Sequence, residues 1–229
     1  MISFENDYSE GAHPNILDAL VKTNLESCVG YGEDIYSVHA AEFIKEKAGS
    51  DCFVNFVIGG TQANLSVIAH MLRPYQAVIA AVTGHISCHE AGAIELTGHK
   101  VIEVNTPEGK ISPDDIIEVL SEHDGAPHVV QPKLVYISQT TETGLLYSKA
   151  ELEKIRKVCD KYKLFLYLDG ARINNALASE DSDLDISDYA KYTDAFTIGG
   201  TKNGALLGEA IIIPNEEISV DFRTTLKQR

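Results

Sequence analysis

Short apolar runs alternate with helical segments along almost the whole chain, and this alternation constrains the fold more than any other feature of the sequence. Seven runs rich in β-branched residues predict buried strands at 52–58, 78–82, 101–104, 134–138, 164–168, 195–198 and 210–213. Helices are predicted between them at 62–72, 91–96, 112–121, 148–162 and 171–178. The pattern predicts an α/β fold, a three-layer sandwich whose seven-stranded sheet is mainly parallel but mixed.

The segment before the first strand predicts an arm and two helices. Residues 1–13 are polar and predict an N-terminal arm, and Pro14 opens an apolar-periodic helix. Ser37 is expected to cap a second helix that runs to about Ala48. No repeat, linker or low-complexity segment follows, so residues 14–229 are predicted to form one main domain.

Composition and charge disfavour several classes of partner. Of the 229 residues, 44% are hydrophobic, which is enough for one sizeable core. The 19 basic and 34 acidic residues give a formal net charge of -15, which disfavours nucleic acids and anionic membranes. The four cysteines have neither a CxxC pair nor metal-ligand spacing, which predicts reduced thiols, a cytoplasmic protein and no metal site. We expect no signal peptide, and no apolar run approaches the roughly 20 residues of a membrane span.

A single lysine stands in the loop between the last two predicted strands. Gly199, Gly200, Gly204 and Gly208 remove side-chain bulk around Lys202, so backbone or a flat ligand can approach it closely. A lysine between buried strands is costly to bury in its charged form. Lys202 is therefore either a surface residue whose ammonium reaches water, or an amine whose lowered pKa suits Schiff-base chemistry.

Other chemically active residues follow predicted strands directly or within a few positions. They are Gly60 and Thr61, His85, Thr140 and Glu142, and Asp169. Because the ligand crevice of a parallel sheet lies beyond the carboxyl ends of its strands, we expect them to converge with Lys202. The strand, glycine turn and helix at 52–72 also direct backbone N–H groups and a helix dipole at an anion.

Asp169 is the most informative of these residues. It follows the apolar run LFLYL and precedes Gly170, where a carboxylate is partly desolvated and held rigidly. Such an acid needs a cation or a protonated ring nitrogen as its partner. The alternative is a structural role as the N-cap of the helix predicted at 171–178.

Four motifs together carry a resemblance to a known family. They are DGAR at 169–172, Thr201 with Lys202, GTQAN at 60–64, and His85 with EAG at 90–92. In this order the chain resembles the aspartate-aminotransferase-fold enzymes that use pyridoxal 5′-phosphate, and within them the low-specificity threonine aldolases and β-eliminating lyases. The resemblance extends from the arm to about residue 229. It implies the large domain of that fold, pyridoxal phosphate as cofactor and an amino acid as substrate.

The resemblance also implies how the cofactor is held. Lys202, preceded by Thr201, would form the Schiff base, and Asp169 would keep the pyridine nitrogen protonated so that the ring accepts electrons. Gly60 and Thr61 would hold the phosphate at the start of their helix. This last role agrees with the anion site inferred from the residues themselves.

Four further site residues follow from the resemblance, two of them as weaker candidates. His85 would stack on the ring face opposite the lysine, and its alternative is a structural histidine. Arg172 would hold the substrate carboxylate or the cofactor's phenolic oxygen by a forked contact, and its alternative is an exposed helix arginine paired with an acid. Asn6 in the arm and Tyr31 in the following loop are the weaker candidates for substrate binding.

The chain departs from the family pattern in two places. Where the aldolases usually carry a histidine near the substrate side chain, this chain has Glu142, and a carboxylate can act as a general base directly or through water. The family chain also continues into a small C-terminal domain that supplies an arginine to the substrate clamp. With the sequence ending at Arg229, we expect that domain to be absent here.

The sequence therefore predicts a pyridoxal-phosphate-dependent lyase that cleaves threonine or allo-threonine to glycine and an aldehyde. Glu142 leaves open β-elimination, transamination or racemisation with the same cofactor. The missing C-terminal region leaves open an inactive relative that binds only cofactor or partner subunits. We expect a homodimer or homotetramer, because family sites are completed across a subunit interface and the arm has little local core.

Overall fold

The computed structural model describes residues 5–106, 108–123 and 125–229, so residues 1–4 of the predicted arm lie outside the described residues. Seven strands form one sheet within these ranges. The strands are β1 Phe53–Val57, β2 Gln76–Ala81, β3 Lys100–Val104, β4 Gln131–Ser138, β5 Phe165–Asp169, β6 Ala195–Gly199 and β7 Glu209–Ile213. Each of them overlaps one of the predicted strands.

The strand order of the sheet is β1-β7-β6-β5-β4-β2-β3. Neighbours from β6 to β3 are parallel, whereas β7 is antiparallel to both β6 and β1. The prediction of a mainly parallel, mixed sheet is confirmed. Because only β7 is reversed, the carboxyl ends of β1 to β6 and the amino end of β7 meet at one edge of the sheet.

Helices cover both faces of this sheet. They are α1 Pro14–Thr23, α2 Ile35–Ala48, α3 Gly60–Met71, α4 His85–Cys88, α5 Ala93–Leu96, α6 Pro113–Glu122, α7 Lys149–Tyr162, α8 Ile173–Ala178, α9 Ile186–Tyr192, α10 Glu216–Ser219 and α11 Phe222–Gln228. One core cluster packs α2, α6, α7, α8 and α9 on one face, and a second packs α3, α4, α5, α10 and α11 on the other. Alternate residues of each strand feed the two clusters, which gives the three layers predicted from the sequence.

The starts predicted for α6 and α7 are confirmed, and the cap predicted for α2 is wrong. Ser112 and Ser148 are the N-caps of α6 and α7, and each forms a complete capping box. Ser37 is not the cap of α2. The carboxylate of Asp34 accepts a hydrogen bond from the Ser37 backbone N–H at 2.9 Å, so the helix begins earlier than predicted.

The first helix packs little in the single chain. No residue of α1 is buried, and its apolar side chains Leu17, Leu20 and Val21 are 45%, 50% and 77% exposed. The periodicity of α1 is therefore that of an amphipathic helix whose apolar face is not covered by any described residue. Within the described ranges, none of the helices combines the length and the apolarity that crossing a membrane requires.

Candidate active site

A cavity of about 350 Å³ opens at the edge where the carboxyl ends of the strands meet. Its lining includes most of the site residues predicted from the sequence. These are Gly60, Thr61, His85, Glu142, Asp169, Arg172, Thr201 and Lys202, together with Thr140. The structure thus brings together residues that follow β1, β2, β4, β5 and β6, as the rule for parallel sheets requires.

Lys202 lies in a short turn, Thr201–Asn203, that directly follows β6 and one further glycine. Its side chain is only 13% exposed, and its Nζ lies 3.8 Å from Oδ1 of Asp7 in the arm. A Cβ at Gly200 would come within 2.7 Å of the backbone oxygen of Gly208, so glycine lets the two sides of the loop approach. The structure therefore places the Lys202 amine in the cavity, and not at a surface position where it would reach bulk water.

Asp169 is the last residue of β5 and is 6% exposed. Its Oδ2 accepts hydrogen bonds from Tyr136 at 2.6 Å and from Asn64 at 3.0 Å, and its Oδ1 accepts one from the Ala171 backbone N–H at 2.9 Å. An ionised carboxylate has about four acceptor positions, so one remains for a protonated nitrogen in the cavity. The alternative role as the N-cap of α8 is not what the structure shows, because that cap position is Arg172.

Asn64 holds two buried carboxylates in place from the first turns of α3. Its Nδ2 donates to Oε1 of Glu90 at 2.6 Å and to Oδ2 of Asp169 at 3.0 Å, and its Oδ1 accepts from the Tyr167 hydroxyl at 2.7 Å. Asn64 is 1% exposed. The sequence analysis assigned no role to Asn64 or Glu90. A polar side chain within an otherwise apolar helix or turn could have indicated them, because such a side chain needs a hydrogen-bond partner when it is buried.

His85 opens α4 and is tied to a buried acid. Its Nδ1 lies 2.8 Å from Oε1 of Glu90, whose side chain is fully buried. The hydrogen bond to Glu90 raises the pKa of His85, although burial of the ring works in the opposite direction. The contact fixes the orientation of the imidazole at the cavity wall and favours its protonated form.

Glu142 lies in the cavity wall next to the start of α4. Its Oε1 accepts hydrogen bonds from the Ser138 hydroxyl at 2.8 Å and from the His85 backbone N–H at 3.0 Å. These bonds fix one oxygen of a carboxyl group that lines the cavity.

Arg172 is already bound to a carboxylate in this chain. Its Nε and Nη2 form a forked ion pair with Asp7, and the Nη2 to Oδ1 distance is 3.2 Å. Burial raises the pKa of Asp7, but the hydrogen bond from Arg172 and the charges of Lys202 and Arg172 outweigh it and lower the pKa. Arg172 can therefore bind a carboxylate with two nitrogens at this place.

The start of α3 forms the cavity wall next to β1. The N-cap is Gly59, which supplies no side-chain hydrogen bond, so the first backbone N–H groups of this 12-residue helix are not capped by a side chain. A Cβ at Gly59 or Gly60 would meet nothing within 4 Å. Open space before an uncapped helix N-terminus, beside Thr61 and Thr201, is the arrangement that binds an anion.

Glu209 is a cavity residue that sequence reasoning missed. It is 5% exposed, and burial together with the charge of Asp169 raises its pKa to about 8, against the opposing effect of Lys202. The available signal was an acid at the start of an apolar strand, but the strand was predicted to begin at Ala210.

Two weaker candidates lie outside the cavity of the single chain. Asn6 accepts hydrogen bonds from the Tyr8 backbone N–H at 3.0 Å and from the Ser9 hydroxyl at 2.7 Å, so its side chain is engaged within the arm. Tyr31 is 80% exposed and lines a separate surface cavity next to Gly32. Tyr8 of the arm lines the main cavity instead.

The donor set matches the chemistry of pyridoxal phosphate. Lys202 supplies an amine, and Asp169 supplies a rigid carboxylate with a free acceptor position. The uncapped start of α3 supplies N–H groups for a phosphate. All three line one cavity.

Comparison with known proteins places the chain in a family. The sequence model of the β-eliminating lyases matches residues 7–228. The chain belongs to the β-eliminating lyase family. A relative within it is the low-specificity L-threonine aldolase of Pseudomonas aeruginosa, which is 32% identical over 227 residues that cover 98% of this chain and 65% of that protein. The chain therefore spans 65% of the length of this relative and 55% of that of the low-specificity L-threonine aldolase of Saccharomyces cerevisiae.

Solved structures support the placement of the chain in this family. A threonine aldolase from Leishmania major superimposes with a TM-score of 0.98 at 48% identity, over 100% of this chain and 67% of that one. A variant of the aspartate aminotransferase of Thermus thermophilus superimposes with a TM-score of 0.75 at 18% identity, over 96% of this chain and 58% of that one. The second match concerns the fold alone, and it confirms the predicted aspartate-aminotransferase fold.

Proposed function

We propose that this chain is a pyridoxal-phosphate-dependent lyase that cleaves threonine or allo-threonine to glycine and an aldehyde. The observation that supports it is that Lys202, Asp169 and the start of α3 line one cavity, in a chain 48% identical to a threonine aldolase. Each of the three matches a different part of the cofactor.

The cofactor would be held by residues from the carboxyl ends of four strands, β1, β2, β5 and β6. Lys202 carries it through the side-chain amine, and Asp169 binds the protonated ring nitrogen with the acceptor position left free by Asn64, Tyr136 and Ala171. Gly60, Thr61 and Thr201 surround the phosphate. The imidazole of His85, held by Glu90, faces the ring.

Glu142 would act as the general base of the reaction. When bound, the cofactor supplies a sink for the electron pair that the Cα–Cβ bond releases. Glu142 accepts the β-hydroxyl proton on Oε2, because Oε1 is held by Ser138 and by the His85 backbone. Removal of this proton lets the hydroxyl carbon leave as an aldehyde.

Arg172 would bind the α-carboxylate of the substrate. It already holds the Asp7 carboxylate with two nitrogens, so the substrate would take the place of Asp7 in this forked contact. The displacement also frees Lys202 from the neighbouring Asp7 charge. The arm would thus have to move when substrate binds.

The cofactor assignment is tested by spectroscopy. Adding pyridoxal phosphate to the purified protein is expected to give a yellow absorbance band, and Lys202→Ala is expected to abolish it. Lys157→Ala is the control. Lys157 is 70% exposed on α7, where it pairs with Glu153, and it does not line the cavity. A band that persists in Lys202→Ala rejects the assignment.

The bond that is broken is tested by product analysis. Wild-type protein is expected to release glycine and acetaldehyde from threonine. Glu142→Gln should lower turnover by about 10²-fold or more and leave the yellow band intact, because only the proton acceptor is lost. Keto acid and ammonia from serine or cysteine, without glycine from threonine, would instead support β-elimination by the same site. A yellow band without turnover of any substrate would support a chain that only binds the cofactor.

We also propose that the protein assembles as a homodimer or homotetramer. The support is the unpaired apolar face of α1, where Leu17, Leu20 and Val21 are exposed in the single chain. Sedimentation is expected to give an oligomer. A fully active monomer would refute this.

A further inference from the structure

Glu209 occupies a distinct place between the two ends of the proposed cofactor site. It is the first residue of β7, and its Cα pairs with Val57 of β1 on one side and with Gly199 of β6 on the other. Val57 leads into the glycine turn at the start of α3, and Gly199 leads into the turn that contains Lys202. Glu209 therefore lies between the anion-binding turn and the amine.

The side chain of Glu209 points to the same face of the sheet as α3. Ile211 and Ile213, which alternate with it along β7, pack in the core cluster that contains α3. Glu209 lines the cavity and is 5% exposed. Its Oε2 is buried, and no described residue forms a hydrogen bond with it. A buried polar atom without a partner is destabilising, so its presence in the cavity wall points to a bound group as the partner.

The charge of Glu209 follows from what surrounds it. Burial of the side chain and the negative charge of Asp169 favour the neutral acid, whereas the ammonium of Lys202 favours the ionised form. Their balance raises the pKa of Glu209 to about 8. The other charged or titratable groups of the cavity wall are Tyr8, His85, Glu142 and Arg172. β1 carries no titratable side chain, and neither does the start of α3. Near pH 7 Glu209 is therefore a carboxylic acid with an O–H to donate.

We propose that Glu209 is a phosphate-binding residue, whose carboxyl group forms a hydrogen bond with the phosphate of a ligand seated at the start of α3. The proposal rests on the proposed function, because it takes the phosphate to be that of a pyridoxal-type cofactor. Ionised Glu209 would repel a phosphate dianion. The neutral acid instead adds one O–H donor to the N–H donors of the backbone. Binding should therefore require that Glu209 keep its proton.

The test uses pyridoxine 5′-phosphate, which has no aldehyde and so binds without reacting with Lys202. Its affinity for the wild-type protein, measured by calorimetry, is expected to fall towards tenfold per pH unit above about 8. The phosphate itself is fully ionised in this range, since its second pKa is about 6. The ring nitrogen of the ligand also titrates in alkaline solution, so the slope is compared with that of pyridoxine, which has the same ring without the phosphate. A steeper slope for the phosphate compound reports Glu209.

Two variants separate a phosphate contact from a structural role. Glu209→Gln keeps a neutral donor of the same size, so it is expected to bind pyridoxine 5′-phosphate at pH 7 within about threefold of wild type. Above pH 8 its slope for the phosphate compound is expected to be no steeper than its slope for pyridoxine. Glu209→Leu removes the donor and is expected to bind it about tenfold more weakly, with unchanged affinity for pyridoxine, which lacks the phosphate. Glu153→Gln on the exposed side of α7 is the control and should match wild type.

Three outcomes would overturn the proposal. The first is an unchanged pH slope in Glu209→Gln, and the second is a loss in Glu209→Leu that is equal for pyridoxine and its phosphate. Wild-type affinity in Glu209→Leu would be the third. If these occur while wild-type protein still forms the yellow band with pyridoxal phosphate, only the role of Glu209 fails. If wild-type protein binds neither phosphate compound, the proposed function fails and this inference fails with it.

Discussion

Replacing Asn64 by alanine should show how much the hydrogen bonds beneath the cavity stabilise the protein. The substitution removes two hydrogen bonds to the carboxylates of Glu90 and Asp169 and one that Tyr167 donates. A bond to a charged acceptor typically contributes about 1.5–3 kcal/mol and a neutral one about 0.5–1.5 kcal/mol. Even the lower ends predict a loss of about 3.5 kcal/mol, which is a large part of the ~5–15 kcal/mol that stabilises a typical domain.

Urea unfolding followed by circular dichroism measures this loss. With a slope of about 3 kcal/mol per molar urea, the midpoint of Asn64→Ala should fall by about 1 M. Ser66→Ala is a matched control on the same helix. Ser66 is fully buried, and its hydroxyl forms no hydrogen bond with any described residue, so its removal should be neutral or slightly stabilising. If both variants shift the midpoint equally, the hydrogen bonds of Asn64 do not contribute the stability expected of them.

Three other substitutions test separate parts of the structure. Glu90→Gln should lower the pKa of His85, which its hydrogen bond raises above 6.5 against the effect of burial. A raised histidine pKa stabilises the fold below about pH 6.5, and this contribution is lost as the pH rises through the folded-state pKa. The variant should therefore lose more stability at pH 5.5 than at pH 8.5. An unchanged NMR titration of His85 would contradict this. Asp7→Asn should lower the KM for threonine by up to about fivefold, because a half-exposed ion pair with Arg172 competes with substrate by up to about 1 kcal/mol. A higher KM would show that Asp7 assists binding. Ser148→Ala should cost about 1 kcal/mol in urea unfolding through loss of its capping box, and no change would show that the cap is dispensable.

The strands were predictable because each is a compact apolar run with clear ends. The fifth strand, predicted at 164–168, is found at Phe165–Asp169, and the aspartate that ends it lies in the cavity as expected. The helix Ile186–Tyr192 was missed because seven residues are too few to show a helical period. The cap of the second helix was placed at Ser37 because serine is a good cap, although Asp34 three residues earlier is equally good and is the one used.

The contents of the site were predictable where a side chain follows a strand, and not where it arrives from elsewhere. Lys202 and Asp169 follow β6 and end β5, so the sheet rule applies to them. Asp7 reaches Arg172 across 165 positions of sequence, and no local pattern reports such a contact. Glu209 was missed because the rule looks at the residues after a strand and this one begins a strand.

Because β7 runs antiparallel to β6, two residues of the cavity wall lie close together in the sequence as well as in space. Lys202 lies in the loop that joins the antiparallel strands β6 and β7, and Glu209 is the first residue of β7. The two ends of this loop are joined by a hydrogen bond from the Gly200 backbone N–H to the Gly208 oxygen at 2.8 Å. The separation between amine and acid is thus fixed within one short segment, independently of how the distant layers of the molecule shift. Because Glu209 is paired with Val57 and Gly199 in the sheet, one inserted residue in the loop would move Lys202 relative to Glu209.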